Sequence, residues 1–473
     1  MSDSHLSITF GTDGWRAIIA DGFTFDSVRL MSRAMAVAAR RIVAPEDIDR
    51  GRIVVGYDRR FLSAEFAREV ATELALSGYH VLLSNRPTPS QTISHAVWTR
   101  KVIGGIVVTA SHNPAVYNGL KFKGWYGGSA LPSIYAEIAR HLGTHEYRDG
   151  GSVESVDILG EYIDSVRSRV DVETIRRSDI RILHDPIHGA SAGVPALVLG
   201  DEVAVETIRG EVNPSFGGVN PEPIPENLAA SFTRIGSSSD AGGPPAPDLA
   251  ICNDGDADRL GVIDESGRFV SPQKIISLLT LDLIRRKGRR GEVVKTFSTT
   301  RLIERIGRAL GVQVHETPIG FKYVVDLMLA REILIGGEES GGIGFGDFLP
   351  ERDGILSGLL VAEAVAASGR SLSSLVRDME GEFGACEYDR RDIRVSMDRC
   401  ESLIRRVRSG ELDSKFDATL SRREEVDGVK LSFEDDSWLL FRRSGTEPLI
   451  RIYCEAGDAG RVREMLDIAE GEL

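Results

Sequence analysis

The sequence holds 473 residues, enough for several domains at the usual ~100–200 residues each. Apolar residues make up 42% and charged residues 27%, which excludes wholesale disorder. Against 71 acidic side chains stand 57 basic ones, a net charge of −14 that excludes a general nucleic-acid binder and a polybasic membrane binder.

The opening MSDSHLSITFGTDGWR has no basic region followed by an apolar one. No apolar run reaches the ~18 residues of a membrane span. A soluble cytoplasmic protein is therefore expected. Cys252, Cys386, Cys400 and Cys454 lie far apart with no CxxC pair, as reduced thiols do. From there the chain reads as strand, loop, helix, repeated. The apolar run 52–58 is followed by a helical stretch over 64–77 and a second run over 79–83. Runs at 103–109, 180–184, 249–252 and 293–295 begin further cycles. Alternation of this kind predicts βαβ units around buried, mostly parallel sheets. The stretch 237–248, SSSDAGGPPAPD, reads as a flexible connection, and 381–389 as a linker. Beyond it, strands near 391–396, 429–433, 438–443 and 449–455 and a helix near 397–408 predict a small α+β domain.

Four loops carry chemistry-bearing residues. Asn253-Asp254-Gly255-Asp256-Ala257-Asp258-Arg259 follows an apolar run, and its alternate carboxylates can converge on one hard divalent cation. Asp254 and Glu265 stand where an EF-hand loop has its first and last ligands, but Arg259 takes the place of its glycine and the flanks read as strands. Few ligands with open positions suit Mg²⁺. Thr109-Ala110-Ser111-His112-Asn113-Pro114 sets a hydroxyl beside an imidazole without a G-x-S-x-G elbow, and Asn118-Gly119-Leu120-Lys121 follows. Gly336–Gly342, GGEESGG, offers two acids, a hydroxyl and a closely approachable backbone, yet is neither a P-loop nor a dinucleotide fingerprint. Arg442-Arg443-Ser444-Gly445-Thr446-Glu447-Pro448 combines guanidinium, hydroxyls and loosened amides, the parts of a phosphate cradle.

In this order, with Phe10-Gly11-Thr12-Asp13-Gly14-Trp15-Arg16 ahead of them, the four loops resemble the α-D-phosphohexomutase superfamily, and within it the phosphoglucomutase/phosphomannomutase group. Lesser matches are Gly56-Tyr57-Asp58-Arg59 and Asn220-Pro221-Glu222-Pro223, and the likeness runs from about Phe10 to Glu455. The resemblance implies an α/β protein of three similar mixed-sheet α/β domains and a smaller C-terminal α+β domain around a central cleft. The divisions expected are 1–150, 151–262, 263–385 and 386–473.

The activity implied is reversible interconversion of hexose 1-phosphate and hexose 6-phosphate through a phosphoserine enzyme and a hexose 1,6-bisphosphate, which also serves as activator. Ser111 matches the phosphoserine, and Asp254, Asp256 and Asp258 match the Mg²⁺ ligands, with a phosphate oxygen on Ser111 as fourth contact. Carboxylates plus a phosphoserine of about −2 charge outweigh Mg²⁺, so cations are required nearby. Arg16, Lys121 and Arg259 match them. Lys121 is also the candidate general acid/base, with His112 beside it. Glu338 and Ser340 match the sugar-hydroxyl ligands, and Lys322 a position that helps to hold substrate. Arg442, Ser444, Gly445 and Thr446 match the clamp on the non-reacting phosphate. Arg443 departs from the smaller residue common there and is not counted. Gly342 stands where many phosphomannomutases and phosphoglucosamine mutases carry histidine, which points to glucose as the favoured sugar, with mannose accepted. A small-molecule sugar phosphate is the expected partner, with no nucleic acid or membrane, for a monomer or homodimer. A bisphosphate-producing phosphotransferase, a phosphoglucosamine mutase and a sugar phosphatase are the alternatives.

Overall fold

The computed structural model describes residues 8, 10, 11, 13–236, 245–444 and 448–473. Most of the connection expected at 237–248 therefore lies outside the described residues. Among the described residues the strands form four sheets. The first contains β1 (Trp15–Ile18), β2 (Arg52–Tyr57), β3 (His80–Ser84), β4 (Gly104–Val108), β5 (Tyr117–Gly124), β6 (Gly128–Ser129) and β7 (Ser152–Val156). The second holds β8 (Arg181–Asp185), β9 (Ala204–Thr207), β10 (Leu249–Asn253), β11 (Leu260–Asp264) and β12 (Phe269–Val270). β13 (Glu292–Thr296), β14 (Val314–Thr317), β15 (Ile333–Gly337) and β16 (Ile343–Phe345) make the third. The fourth, antiparallel throughout, comprises β17 (Glu387–Arg394), β18 (Leu420–Glu424), β19 (Val429–Phe433), β20 (Trp438–Arg443) and β21 (Leu449–Ala456).

The three larger sheets are mixed, and in the same way. In each, a fully buried strand parallel to its inner neighbour runs into a loop, and the chain returns antiparallel: β4 to β5, β10 to β11, β15 to β16. Runs such as GGIVV and LAICN are buried along their whole length, as sheets covered on both faces require. The turn-back was not legible in the apolar runs; β5, which carries Lys121, reads as a polar strand yet is buried from Asn118 onward. β7 pairs with β3 in the first sheet and lies beyond the division expected at 150; β11 crosses the division expected at 262 and β12 lies beyond it, both in the second sheet. The linker expected at 381–389 shrinks to Gly384–Cys386, because the helix Leu372–Phe383 and β17 take the rest.

The helix Gly354–Ser368 is apolar nearly all round and buried over most of its length, as such helices must be. Asp353 caps it, accepting from the Ile355 and Leu356 amides. Its packing joins the second and third units in one core. The antiparallel sheet and the helices Met397–Ser409 and Ala459–Gly471 enclose a separate core. Lys430 ties this unit to the third: its Nζ donates to Phe297 O at 2.9 Å and lies over the Phe297 and Trp438 rings. No single helix among the described residues is long and apolar enough to cross a membrane.

Candidate active site

The loops after β4, β10 and β15 leave the same ends of their strands, where open α/β sheets place ligands. Glycines let them meet. A Cβ on Gly255 would stand 2.5 Å from Ser111 O, and one on Gly341 would stand 2.3 Å from Leu260 O. Gly341 also has φ of +88°, which favours glycine on its own account.

Ser111 sits in the left-handed region, φ +52°, a conformation that costs a non-glycine residue energy and that its surroundings must impose. Arg60 imposes it. Its buried guanidinium donates to Ser111 O at 2.6 Å, Asn113 O at 2.7 Å and Pro114 O at 2.9 Å, and pairs with Asp58 at 3.2 Å. Asp58 in turn accepts from Thr109 Oγ1 at 2.6 Å, and Thr109 Oγ1 accepts the Ser111 amide at 2.9 Å. The Ser111 hydroxyl donates to Asp254 Oδ2 at 2.7 Å.

The carboxylate oxygens of Asp254, Asp256 and Asp258 lie within 4.8 Å of one another, all buried. Burial first, then repulsion from Asp258 and Asp256, pushes the Asp254 carboxyl well above its ordinary range. Asp256 is also pushed up by burial, but the Lys121 ammonium and hydrogen bonds from Lys121 and Ser90 hold it below. Asp256 Oδ1 and Asp258 Oδ1 are buried and accept no hydrogen bond among the described residues. Orphaned acceptors on converging acids fit a hard divalent cation of the Mg²⁺ type.

Lys121 Nζ lies 2.8 Å from Asp256 Oδ2, 3.0 Å from Asp258 Oδ2 and 3.2 Å from Asp13 Oδ2. Burial opposes its charge, yet these three carboxylates hold the ammonium well above the ordinary lysine range. The side chain is thus a cation held among three carboxylates. His112 Nδ1 stands 3.4 Å from Ser111 Oγ and Nε2 3.4 Å from Arg259 Nη2. Burial, and then Arg259, Arg16, Lys121 and Arg60, hold this imidazole well below its ordinary range, so it is neutral. Arg259 pairs with Glu222 at 2.8 Å, and its amide donates to Asp254 Oδ1 at 3.1 Å. Arg16, half-buried, donates to Asn113 Oδ1. Glu338 is buried, and burial raises its carboxyl against the pull of Arg352 and Arg259. Ser340 lies half-buried in the same loop.

The structure thus brings Ser111, His112, Arg16, Lys121, Asp254, Asp256, Asp258, Arg259 and Glu338 into one connected cluster. Arg442, Ser444 and Lys322 belong to other contacts. Arg442 Nε donates to Asp427 Oδ1 at 2.9 Å, the Ser444 amide to Leu449 O at 2.9 Å, and Lys322 lies over the Tyr323 ring. Arg443 points away, to Glu401 at 2.8 Å. Gly445 and Thr446 lie outside the described residues. Sequence reasoning missed Arg352, Arg60 and Ser90. No short motif marks them, since each acts on a loop distant in the chain.

Four segments of the chain match Phosphoglucomutase/phosphomannomutase descriptions: alpha/beta/alpha domain I over 7–149, domain II over 160–267, domain III over 271–383 and the C-terminal domain over 405–470. The chain belongs to the phosphoglucomutase/phosphomannomutase family. Its relatives include a phosphoglucomutase/phosphomannomutase of Thermococcus kodakarensis, 32% identical over 97% of each chain. A probable phosphoglucosamine mutase of Methanothermobacter thermautotrophicus is 29% identical over 98% of this chain and 97% of its own. Among solved structures, a putative phosphomannomutase from Thermus thermophilus superposes with a TM-score of 0.85, at 36% identity and 98% coverage of both chains. An N-acetylphosphoglucosamine mutase of Aspergillus fumigatus, solved with GlcNAc-6P and magnesium, shares the fold at 15% identity and a TM-score of 0.56, covering 98% of this chain and 94% of its own. As a member of this family, the protein is a sugar-phosphate mutase, and its three α/β domains and antiparallel C-terminal domain are the family's architecture.

Proposed function

We propose that the protein interconverts hexose 1-phosphate and hexose 6-phosphate, with glucose favoured and mannose accepted, through a phosphorylated Ser111 and a hexose 1,6-bisphosphate. The observation that carries this reading is the Ser111 hydroxyl 2.7 Å from Asp254 Oδ2, at the edge of three converging carboxylates. Asp254, Asp256 and Asp258 would hold Mg²⁺, which when bound neutralises charge on a transferring phosphoryl group.

The chain's own residues do the rest. Arg60 and the Asp58–Thr109 pair hold the Ser111 loop rigid, so that the oxygen presents one geometry to the phosphoryl group. Lys121 stabilises charge on that group and, as general acid/base, takes the proton of the sugar hydroxyl as its O–P bond forms and the serine O–P bond breaks, and returns it to the sugar oxygen when that oxygen departs in the reverse transfer. His112, neutral and shielded by Arg259, positions the serine oxygen without adding charge. Glu338 accepts from sugar hydroxyls. Arg442 and Ser444, with Gly445 and Thr446, would clamp the phosphate that does not react.

One clamp serves both orientations of the bisphosphate, because it reads a phosphate and not a sugar end. Arg442→Ala is therefore expected to raise KM for hexose 1-phosphate and hexose 6-phosphate alike, by roughly 10-fold or more, since a guanidinium–phosphate contact is charge-assisted. Steady-state kinetics in both directions check this; an effect on one direction alone would show that the clamp is not shared.

Glucose and mannose differ at C2 and share the hydroxyls at C3 and C4. A loop that reads the shared pair leaves discrimination within about 1–3 kcal/mol. Coupled assays on glucose, mannose and glucosamine phosphates, with Mg²⁺ and catalytic bisphosphate, test the whole reading. Turnover of glucose and mannose phosphates is expected, glucose the faster. Strong preference for glucosamine phosphate, release of inorganic phosphate, or accumulation of the bisphosphate would each replace it.

A further inference from the structure

Arg352 lies in no motif, yet it reaches the centre of the site. It precedes the buried helix Gly354–Ser368, and its side chain is 8% exposed. Nη2 lies 2.7 Å from both Asp13 Oδ2 and Asp258 Oδ2, and Nη1 lies 3.4 Å from Glu338 Oε2. One guanidinium thus joins the N-terminal motif, the acidic loop after β10 and the sugar loop after β15. Its Cζ stands 5.6 Å from the centre of the Phe321 ring, and its Nε–H has no acceptor among the described residues.

Glycines make the room. A Cβ on Gly342 would stand 2.4 Å from Arg352 Cδ, 3.1 Å from its Cγ and 3.2 Å from Glu338 Oε2. Two residues on, a Cβ on Gly344 would stand 2.3 Å from Glu351 O. Residues two apart on a strand share a face, so one bare face of this edge receives Glu351 and Arg352. The arginine can make way for a methyl group only by disturbing the contacts that three carboxylates make with its far end. Gly342 has no positive φ, so it is space and not backbone freedom that calls for glycine here.

Glu338 and Asp258 are buried acids that would repel each other and turn apart without a cation between them. Lys121 serves Asp258 but reaches Asp256 and Asp13 instead of Glu338. A planar fork can serve acceptors on two sides at once, where a single ammonium cannot.

We propose that Arg352 is a positioning residue, which holds the Glu338 carboxylate in place against the acidic loop so that the sugar meets a preset acceptor, and that Gly342 admits it. The proposal rests on the sugar-phosphate mutase reading of this site. Because a hydroxyl acceptor is used in both ground and transition states, losing its support acts mainly on binding.

The test compares the full-length protein with Arg352→Gln, Arg352→Lys, Gly342→Ala, Glu338→Gln and the double variant Arg352→Gln/Glu338→Gln. For glucose 1-phosphate, Arg352→Gln is expected to raise KM about 10–100-fold, as loss of an orienting partner does, with kcat changed less. The calorimetric Kd for glucose 1-phosphate, measured without Mg²⁺, should weaken in parallel. Arg352→Lys should recover part of the loss. Gly342→Ala leaves the guanidinium chemically intact but displaces it, and should shift KM in the same direction; it carries the test if Arg352→Gln does not fold. The double variant should be no worse than the more damaged single variant, since both changes remove one function. Fully additive losses, a fall in kcat at unchanged KM, or wild-type KM in Gly342→Ala would overturn the proposal. If the unmodified protein interconverts no hexose phosphate, the functional reading fails; if it does and the variants match it, this inference alone fails.

Discussion

Ser111→Ala is expected to abolish mutase turnover, a loss on the order of 10⁴-fold or more, because the atom proposed to carry the phosphoryl group is removed outright. The fold should survive. Ser111 gives up its hydroxyl contacts to Asp254 and His112, worth about 0.5–1.5 kcal/mol each, and its left-handed backbone is held by Arg60 rather than by its own side chain. Alanine in that conformation is strained no differently from serine, since both carry a Cβ. The checks are a coupled assay, a thermal melt, and intact-mass measurement after incubation with glucose 1,6-bisphosphate. Near-normal turnover would remove Ser111 from the mechanism, and label persisting on the variant would place the phosphate elsewhere.

Asp256→Asn carries the second large effect. Asp256 contributes one of the orphaned oxygens, Oδ1, while its other oxygen accepts from Ser90 at 2.6 Å and pairs with Lys121 at 2.8 Å. The amide removes one formal charge and one anionic ligand together, and it also leaves Lys121 with less to hold its proton. Mg²⁺ binding and turnover should fall by roughly 10-fold at least. Titration of activity and of thermal stability with Mg²⁺ reads both. Asparagine keeps the size and one acceptor, so a wild-type Mg²⁺ response would mean that the acidic loop is a turn and no metal site. EDTA should stop the unmodified enzyme, and added Mg²⁺ should restore it.

The residues legible in the sequence and those that were not divide along a physical line. A divalent cation needs several oxygens within a few ångströms, and alternate positions on one short loop supply them without help from the rest of the fold. Asp254, Asp256 and Asp258 are therefore readable in a stretch of five residues. The same holds for Ser111 beside His112, and for the acids and glycines of the sugar loop. Strand and helix periodicity was equally local, which is why the apolar runs marked the buried parallel strands.

What the local pattern left open is everything that depends on return of the chain. β5 reads as polar because Lys121 and Lys123 are buried against acids, Lys121 against the acidic loop and Lys123 against Glu351. β7 joins the first sheet because β3 has an open edge there, and no residue of β7 announces that. Arg352 and Asp13 are 339 positions apart, yet they share one hydrogen bond at 2.7 Å.

The sequence by itself determined the candidate loops for cation and phosphate, because the residues of each are contiguous in the chain. The tertiary structure alone decided how those loops are charged and aimed. Buried ions must find partners wherever the fold brings them, so the identities of Arg60, Ser90, Arg352 and Glu222 as partners follow from packing and not from spacing.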